Sequence, residues 1–191
     1  PAGEASRAAI YLVGNSLGPQ PRPARAAVEQ ELDDWARLGV EGHLHGRHPW
    51  YPYHEFVREG LSMIAGASER EVVAMNSLTT NLHLLMVSFY RPTLERFKVI
   101  FEDTAFPSDS YAIQSQLEFH ARHAGFDAKA GSVRLTPREG EVTLRTEDIL
   151  DRIAREKGSI ALVMLGGVNY LTGQWCEMET ITRYARERGI V

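Results

Sequence analysis

The sequence has one cysteine, three lysines and no long apolar run, and each scarcity excludes a class of protein. A lone Cys176 cannot form an intrachain disulfide, so we expect the protein to work in a reducing, cytoplasmic setting. Since no motif surrounds Cys176, we expect its side chain to be an inert, small hydrophobic group. A membrane-spanning helix needs ~20 consecutive apolar residues, and no run in the sequence approaches that length, so we predict no membrane partner. The first residues also lack the basic and apolar blocks of a signal peptide.

Positive charge is not concentrated anywhere in the chain. The 21 Lys and Arg residues are outnumbered by 25 Asp and Glu residues, which gives a formal net charge of -4. Scattered cations and a negative total exclude general attraction to nucleic acid or anionic lipid. With 191 residues and 43% hydrophobic residues, the composition is that of a globular protein with one large or two small domains.

The first third of the chain predicts helices separated by an irregular loop. Two glycines and three prolines in residues 11–23 predict an extended segment that ends in turns. Apolar residues at helical spacing predict a helix from about Ala24 and a second one that ends near Gly66. Between them, residues 39–53 are rich in His, Gly, Pro and aromatics and have no periodicity, which indicates a loop.

From residue 71 onwards, strand and helix patterns alternate. Predicted strands cover 71–75, 98–103, 132–136 and 159–165, and helical patterns separate them at 82–90, 107–121 and 146–153, with a last one at 178–185. The continuous apolar run 159–165 is typical of a central parallel strand buried on both faces, and the apolar segment 82–90 predicts a buried helix. This order predicts an α/β fold, a doubly wound sheet with right-handed crossovers.

Three segments follow predicted strands and are candidates for a ligand site, because open α/β sheets bind ligands at the carboxyl ends of their strands. Residues 76–81 enter a helix whose N-terminal N–H groups favour an anion such as phosphate. In 105–109, Phe106 is suited to stacking on a planar ligand and Asp109 to accepting a hydrogen bond. Residues 166–173 place Thr172 in a glycine-rich loop. Each segment alone is also compatible with ordinary helix capping or core packing.

The remaining polar clusters predict structure rather than chemistry. His43, His45 and His48 have a spacing that suggests zinc, but no HExxH or paired-cysteine motif accompanies them, so we predict no metal site. His83 lies in an apolar helix and is expected to be a satisfied core histidine. The acidic cluster formed by Glu29, Glu31, Asp33 and Asp34 is expected to be a solvated helix face.

At these segments the sequence resembles the kynureninase family, specifically its N-terminal part. The motifs follow one another in a single order: YLVGNSLGPQP at 11–21, GH at 42–43, HPW at 48–50, MNSLTTNLHLLM at 75–86, AFPSDSYAIQSQ at 105–116, PREG at 137–140 and YLTGQ at 170–174. The combination of FPSD after a strand with an upstream LTxN is specific. The resemblance covers nearly the whole chain.

The resemblance implies a homodimeric enzyme of the aspartate-aminotransferase fold type, which uses pyridoxal 5'-phosphate (PLP). Such an enzyme hydrolyses kynurenine or 3-hydroxykynurenine to anthranilate or 3-hydroxyanthranilate and alanine, in tryptophan catabolism and NAD biosynthesis. In this picture residues 1–60 form an N-terminal segment with a substrate-side loop. Residues 61–191 form the first part of the large PLP-binding domain.

The family's functional residues carry over to matching positions here. Cofactor contacts are implied for Leu78, Thr79, Phe106, Pro107, Ser108, Asp109 and Thr172. Contacts with the aromatic end of the substrate are implied for Ser16 and His43. The chain departs from some relatives at Gly166, where they place a serine close to the cofactor.

The lysine that binds the cofactor covalently is expected beyond Val191, so no catalytic residue is assigned within 1–191. Lys98 begins a strand, Lys129 lies in a loop and Lys157 ends a helix, and none fits that role. The sequence ends like a helix cap followed by a new strand, so we expect a longer source polypeptide and an inactive fragment. Two alternatives stay open: another PLP enzyme of this fold, cysteine desulfurase- or aminotransferase-like, and a non-enzymatic fragment or metal-binding module.

Overall fold

The computed structural model describes residues 10–156 and 158–191. These form two compact units, one up to Met75 and one from Asn76 onwards. The domain boundary expected near residue 60 stays a prediction. Among the described residues, no helix combines the length and apolar character required to cross a bilayer.

The first unit is helical. Its helices are α1 (Gly14–Leu17), α2 (Ala24–Leu38) and α3 (Arg58–Ala65), with 3-10 turns at Gly39–His43, Tyr53–Glu55 and Glu69–Glu71. The predictions of α2 and α3 are confirmed, and Gly66 ends α3 in the left-handed conformation with φ of 64°. The extended segment predicted at 11–23 is wrong at α1, where one helical turn forms despite Gly14 and the later prolines.

The second unit alternates helix and strand. Its elements are α4 (Leu78–Phe89), β1 (Lys98–Glu102), α5 (Pro107–Ala124), β2 (Ser132–Leu135), α6 (Thr146–Arg155), β3 (Ile160–Met164) and α7 (Met178–Arg186). The strands predicted from residue 98 onwards are confirmed. The strand predicted at 71–75 is wrong: Val73 and Met75 are about half exposed, and no strand among the described residues pairs with this apolar run.

The described strands form one parallel sheet in the order β2-β1-β3. Ile100 of β1 pairs with Val133 on one side and with Val163 on the other. The outer side of β3 is also paired, because the Val163 N–H donates to the Val191 oxygen over 2.8 Å and the Val191 N–H donates to Ala161. Among the described strands β1 is the central one, so the prediction that β3 is central is wrong for this sheet, although Val191 is hydrogen-bonded to the outer side of β3.

Apolar side chains cover both faces of the sheet. One cluster is centred on Ile100 and packs β1–β3 against α6 and α7, and the other is centred on Phe101 and packs the sheet against α4 and α5. The prediction of a helix buried all round is wrong for α4. Met86 is buried, whereas Leu85, Val87 and Phe89 are more than half exposed, because α4 meets the sheet with one face only.

Candidate functional site

The loops that follow β1 and β3 meet at the carboxyl edge of the sheet. The Asn169 side-chain nitrogen donates to the Thr104 hydroxyl over 3.0 Å. The rings of Phe106 and Tyr170 lie edge to face, with centroids 5.0 Å apart. Two of the three segments proposed from the sequence are therefore in contact, at the edge where parallel sheets bind their ligands.

Asp109 provides an unsatisfied buried acceptor in this region. It lies in the first turn of α5, which Pro107 opens, and its Oδ1 is buried without a hydrogen-bond partner among the described residues. Burial raises the pKa of Asp109, and the Ser108 hydroxyl opposes part of that rise. Buried polar atoms in folded proteins are nearly always paired, so this oxygen is suited to a donor that a ligand supplies.

Phe106 precedes Asp109 and leaves part of its ring accessible. It is 51% exposed and lies at the N-cap of α5. An aromatic face that is open to solvent at a sheet edge can stack on a planar ring. The position therefore differs from an ordinary core phenylalanine, such as the fully buried Phe101.

The N-terminus of α4 offers backbone donors. Ser77 is the N-cap, but its hydroxyl lies 3.2 Å from the Thr80 hydroxyl and, within the described part of the chain, makes no capping bond to the helix backbone. The first-turn N–H groups, including those of Leu78 and Thr79, therefore lack the usual side-chain acceptor and are available to an anion. His83, one turn later, bonds to Gln116 of α5 over 3.1 Å, so the prediction of a hydrogen-bonded histidine is confirmed, but it is half-buried rather than a core residue.

Thr172 lies in a tight turn that two buried or half-buried amides hold in place. Asn169 Oδ1 accepts from the N–H groups of Leu171 and Thr172 over 2.9 and 3.0 Å. The Gln174 side chain bonds to both the N–H and the carbonyl of Leu144, over 2.8 and 2.5 Å. Neither amide was identified from the sequence, although an Asn followed four residues later by Gly is a turn signal that points to Asn169.

A side chain at position 166, which is a glycine, would come into close contact with neighbouring atoms. A Cβ at this position would lie 3.2 Å from the Val168 carbonyl oxygen and 3.7 Å from the carboxylate of the buried Glu102. The backbone at Gly166 thus folds closely over the end of β1.

In the first unit, carboxylates of α2 hold the loop of residues 42–50. Glu31 accepts from His48 Nδ1 over 2.8 Å and from Trp50 Nε1 over 3.0 Å. Asp34 is 3% exposed and accepts from Arg37 and from the Arg47 backbone. The prediction of a solvated acidic face is wrong for these two residues, because the loop folds back over α2 and covers them.

Trp50 shapes the part of this loop that carries His43. Its ring lies over Gly42, where a Cβ would come within 3.0 Å of three ring carbons, and it contacts His43 edge to face at 5.5 Å. His43 itself is exposed, as is Ser16 on α1. Among the described residues, no group of three or more His, Cys, Asp or Glu side chains is arranged to hold a metal ion.

Of the lysines, Lys98 lies at the start of β1, at the amino edge of the sheet. Its ammonium is 2.5 Å from the Glu156 carboxylate, which makes it a structural ion pair. Lys129 lies in the turn before β2, and the Lys157 prediction falls outside the described residues. The expectation that Lys98 begins a strand is confirmed.

Several curated proteins are similar to this chain over nearly all of its length. It is 57% identical to a kynureninase from Myxococcus xanthus over 99% of the chain and 43% of that protein, and 45% identical to a human kynureninase over 95% of the chain and 38% of that protein. No family model matches the chain.

Among solved structures, the chain is similar to a lysine-to-alanine mutant of C-DES with glycine covalently linked to the PLP cofactor. The TM-score is 0.58 at 15% identity, over 84% of this chain and 39% of that one. The predicted fold class, the α/β large-domain sheet of the aspartate-aminotransferase fold type, is confirmed. The chain spans about two fifths of the length of the curated relatives it matches, and over that length it is similar to kynureninases.

Proposed function

We propose that the protein containing this chain is a PLP-dependent hydrolase that cleaves L-kynurenine, 3-hydroxykynurenine or both. The products are anthranilate or 3-hydroxyanthranilate and L-alanine, as part of tryptophan catabolism. The observation that carries the proposal is the identity of 45–57% with curated kynureninases along nearly the whole chain. A homodimer and a cytoplasmic location are part of the proposal.

The residues of the three candidate segments suit PLP by their chemistry. First-turn N–H groups at Leu78 and Thr79 are donors for a phosphate, and the half-exposed Phe106 ring is a stacking surface for a pyridine. The buried, unpaired Oδ1 of Asp109 accepts a hydrogen bond from the bound group, with Pro107 and Ser108 shaping the turn around it.

When bound, PLP supplies an electron sink for the electrons of the bond that is cleaved. The chain's own residues orient the ring and hold the phosphate. Ser16 and His43 are proposed to contact the aromatic end of the substrate. The loop that carries His43 is fixed by Trp50 and Glu31, which favours a preformed recognition surface.

Residues 1–191 are proposed to lack activity on their own. The described lysines lie away from the candidate site: Lys98 is paired with Glu156 at the opposite sheet edge, and Lys129 lies in the turn before β2. Anthranilate formation by the purified 1–191 polypeptide with added PLP would contradict this statement.

The alternative is another PLP enzyme of the same fold, and the likeness to C-DES keeps it open. The two alternatives differ in substrate. The protein is incubated with PLP and either L-kynurenine or L-cysteine, and anthranilate fluorescence and released sulfide are measured. We expect anthranilate and alanine in equal amounts, whereas sulfide without anthranilate would support the alternative.

Phe106→Leu tests whether the site described above is the one that acts. Loss of the stacking surface is expected to weaken PLP binding about two- to tenfold, since aromatic stacking contributes roughly 0.5–1.5 kcal/mol. Phe119→Leu is the matched control, because Phe119 lies on the same helix and is similarly exposed at 56%. Equal effects of the two substitutions would contradict the proposed placement of the cofactor.

A further inference from the structure

Asn169 is a buried polar residue to which neither the sequence motifs nor the resemblance assigns a role. It is 5% exposed, and its side chain joins two loops that are 65 residues apart in the chain. Two backbone N–H groups point at Oδ1, which fixes the orientation of the amide, because an N–H cannot donate to the NH₂ group. The NH₂ group is thereby directed to Thr104.

This arrangement determines what the Thr172 hydroxyl can do. Its oxygen lies 3.2 Å from Asn169 Oδ1, which can only accept, so the hydroxyl proton is directed there. The same oxygen accepts from the Gln174 N–H over 3.2 Å. With its proton and one lone pair used, Thr172 retains one lone pair, so it can accept a hydrogen bond from a ligand but is a poor donor to a phosphate oxygen.

The same side chain also fixes the aromatic pair beside the site. The Asn169 backbone closes the turn through bonds to Gln174 and Gly173, and Tyr170 lies within that turn. The bond from Asn169 to Thr104 therefore holds the Tyr170 ring against Phe106, two residues beyond Thr104. Loss of this bond would let the two loops move apart.

We propose that Asn169 is a positioning residue of this site, and the proposal rests on the proposed function. It makes Thr172 an acceptor for a donor group of the bound pyridoxal ring, such as the ring hydroxyl, and it holds the Tyr170–Phe106 wall in place. Asn169 itself does not contact the ligand. It acts through Thr172 and Tyr170.

The test is a double-mutant cycle on PLP binding by the protein, with PLP as the probe and fluorescence as the readout. Asn169→Ala and Thr172→Val are each expected to raise the dissociation constant about tenfold, the effect of losing one hydrogen bond of about 1.4 kcal/mol. The double variant is expected to have about the same dissociation constant for PLP as the single variant that binds PLP less tightly, because both changes remove the same interaction.

Gln174→Ala is the matched control, since it releases the same turn from Leu144 and leaves the bonds of Asn169 intact. It is expected to lower the melting temperature but to leave PLP affinity within about twofold, the range of a lost contact that the ligand does not feel. Additive effects of Asn169→Ala and Thr172→Val, or an equal loss of affinity in Gln174→Ala, would overturn the proposal.

Hydrogen exchange without PLP separates this proposal from the proposed function. Asn169→Ala should speed exchange at the Leu171 and Thr172 amides, which lose their acceptor, and unchanged rates would overturn the positioning role alone. A wild-type protein that does not bind PLP would contradict the proposed function and, with it, the ligand-facing role of Thr172. If Asn169→Ala does not fold, Thr104→Val removes the partner of the Asn169 NH₂ group instead; it is expected to weaken PLP binding, and unchanged binding would overturn the role of Asn169 in holding the Tyr170–Phe106 wall.

Discussion

The two loops that carry proposed ligand contacts are held in different ways. Carboxylates of α2 hold the loop of residues 42–50: Glu31 binds His48 and Trp50, and Asp34 binds Arg37 and the Arg47 backbone. Neutral amides hold the turn of residues 169–174: Asn169 bonds to Thr104 and Gln174 bonds to Leu144. The first set of anchors titrates with pH and the second does not.

Carboxylate anchors and amide anchors are two ways to hold a binding loop in place before the ligand binds. Charged anchors make short, strong bonds while they are ionised, and they weaken in acid. Amide anchors give the same geometry at any pH. They require every polar atom of the buried amide to be paired, so loss of one partner lowers the free energy of unfolding. The substrate-side loop is therefore expected to respond to pH, and the turn at 169–174 to respond only to substitution.

The largest effect is expected from Gly42→Ala. The added Cβ would overlap the Trp50 ring, so Trp50 must swing away and lose its bond to Glu31. Overpacking of this kind costs about 1–3 kcal/mol, measured as the free energy of unfolding in urea. Gly60→Ala is the control, because its Cβ meets no atom within 4 Å and alanine favours the helix. Equal stability of the two variants would show that Trp50 does not cover Gly42.

Gln174→Ala is expected to have the next largest effect. It leaves the N–H and the carbonyl of Leu144 without their partner, which costs about 1–2 kcal/mol of unfolding free energy for a part-buried pair. Gln114→Ala serves as the control, because Gln114 makes one exposed bond to Glu118 on α5. A cost for Gln174→Ala no larger than for Gln114→Ala would indicate that the turn is not anchored at Leu144.

The pH comparison uses a tryptophan in each region. Hydrogen bonds from His48 and then Trp50 lower the pKa of Glu31 below its usual 4.5. Because the folded-state pKa is lowered, the anchor stabilises the loop above that usual value and is lost as the pH falls through the lowered pKa. Trp50 fluorescence, measured with Trp35 and Trp175 replaced by Phe, should therefore change below pH 4.5.

Glu31→Gln should abolish this transition. Trp175, which lies next to Gln174, should show no corresponding change when it is the remaining tryptophan, since the anchors of its turn carry no carboxylate. A transition of the same midpoint at both tryptophans would mean global acid unfolding and would remove the distinction between the regions.

Gly166→Ser is expected to have the smallest effect. The new Cβ would lie 3.2 Å from the Val168 oxygen, a contact that a shift of a few tenths of an ångström relieves. We expect a loss of less than about 1 kcal/mol in unfolding free energy, below the usual cost of overpacking. A larger loss would indicate that the backbone at 166–168 cannot shift.

Local patterns predicted most of the fold of the second unit. The apolar run of β3 and the proline that opens α5 are signals within a few residues, and both elements form where expected. Residues 71–75 carry the same apolar pattern but lack a neighbouring strand, and α4 is as apolar as a buried helix but has one covered face. In both cases tertiary contacts decide the outcome.

The candidate site was predicted less completely, because its supporting residues act over long sequence distances. Glu31 pairs with residues 17 and 19 positions away, and Asn169 with one 65 positions away. Such pairs leave no local pattern beyond a charged helix face or a turn signal. Phe106 and Asp109 can be identified as candidates from the sequence because strand, turn and helix start follow one another within a few residues.

Hydrogen exchange with and without PLP tests most directly the central claim, which is that the carboxyl edge of the sheet binds the cofactor. We predict slower exchange on PLP binding in peptides that cover residues 77–81, 104–110 and 169–174, and no change around Lys98 at the amino edge. Slower exchange around Lys98, or none in the peptides at the carboxyl edge, would contradict the account.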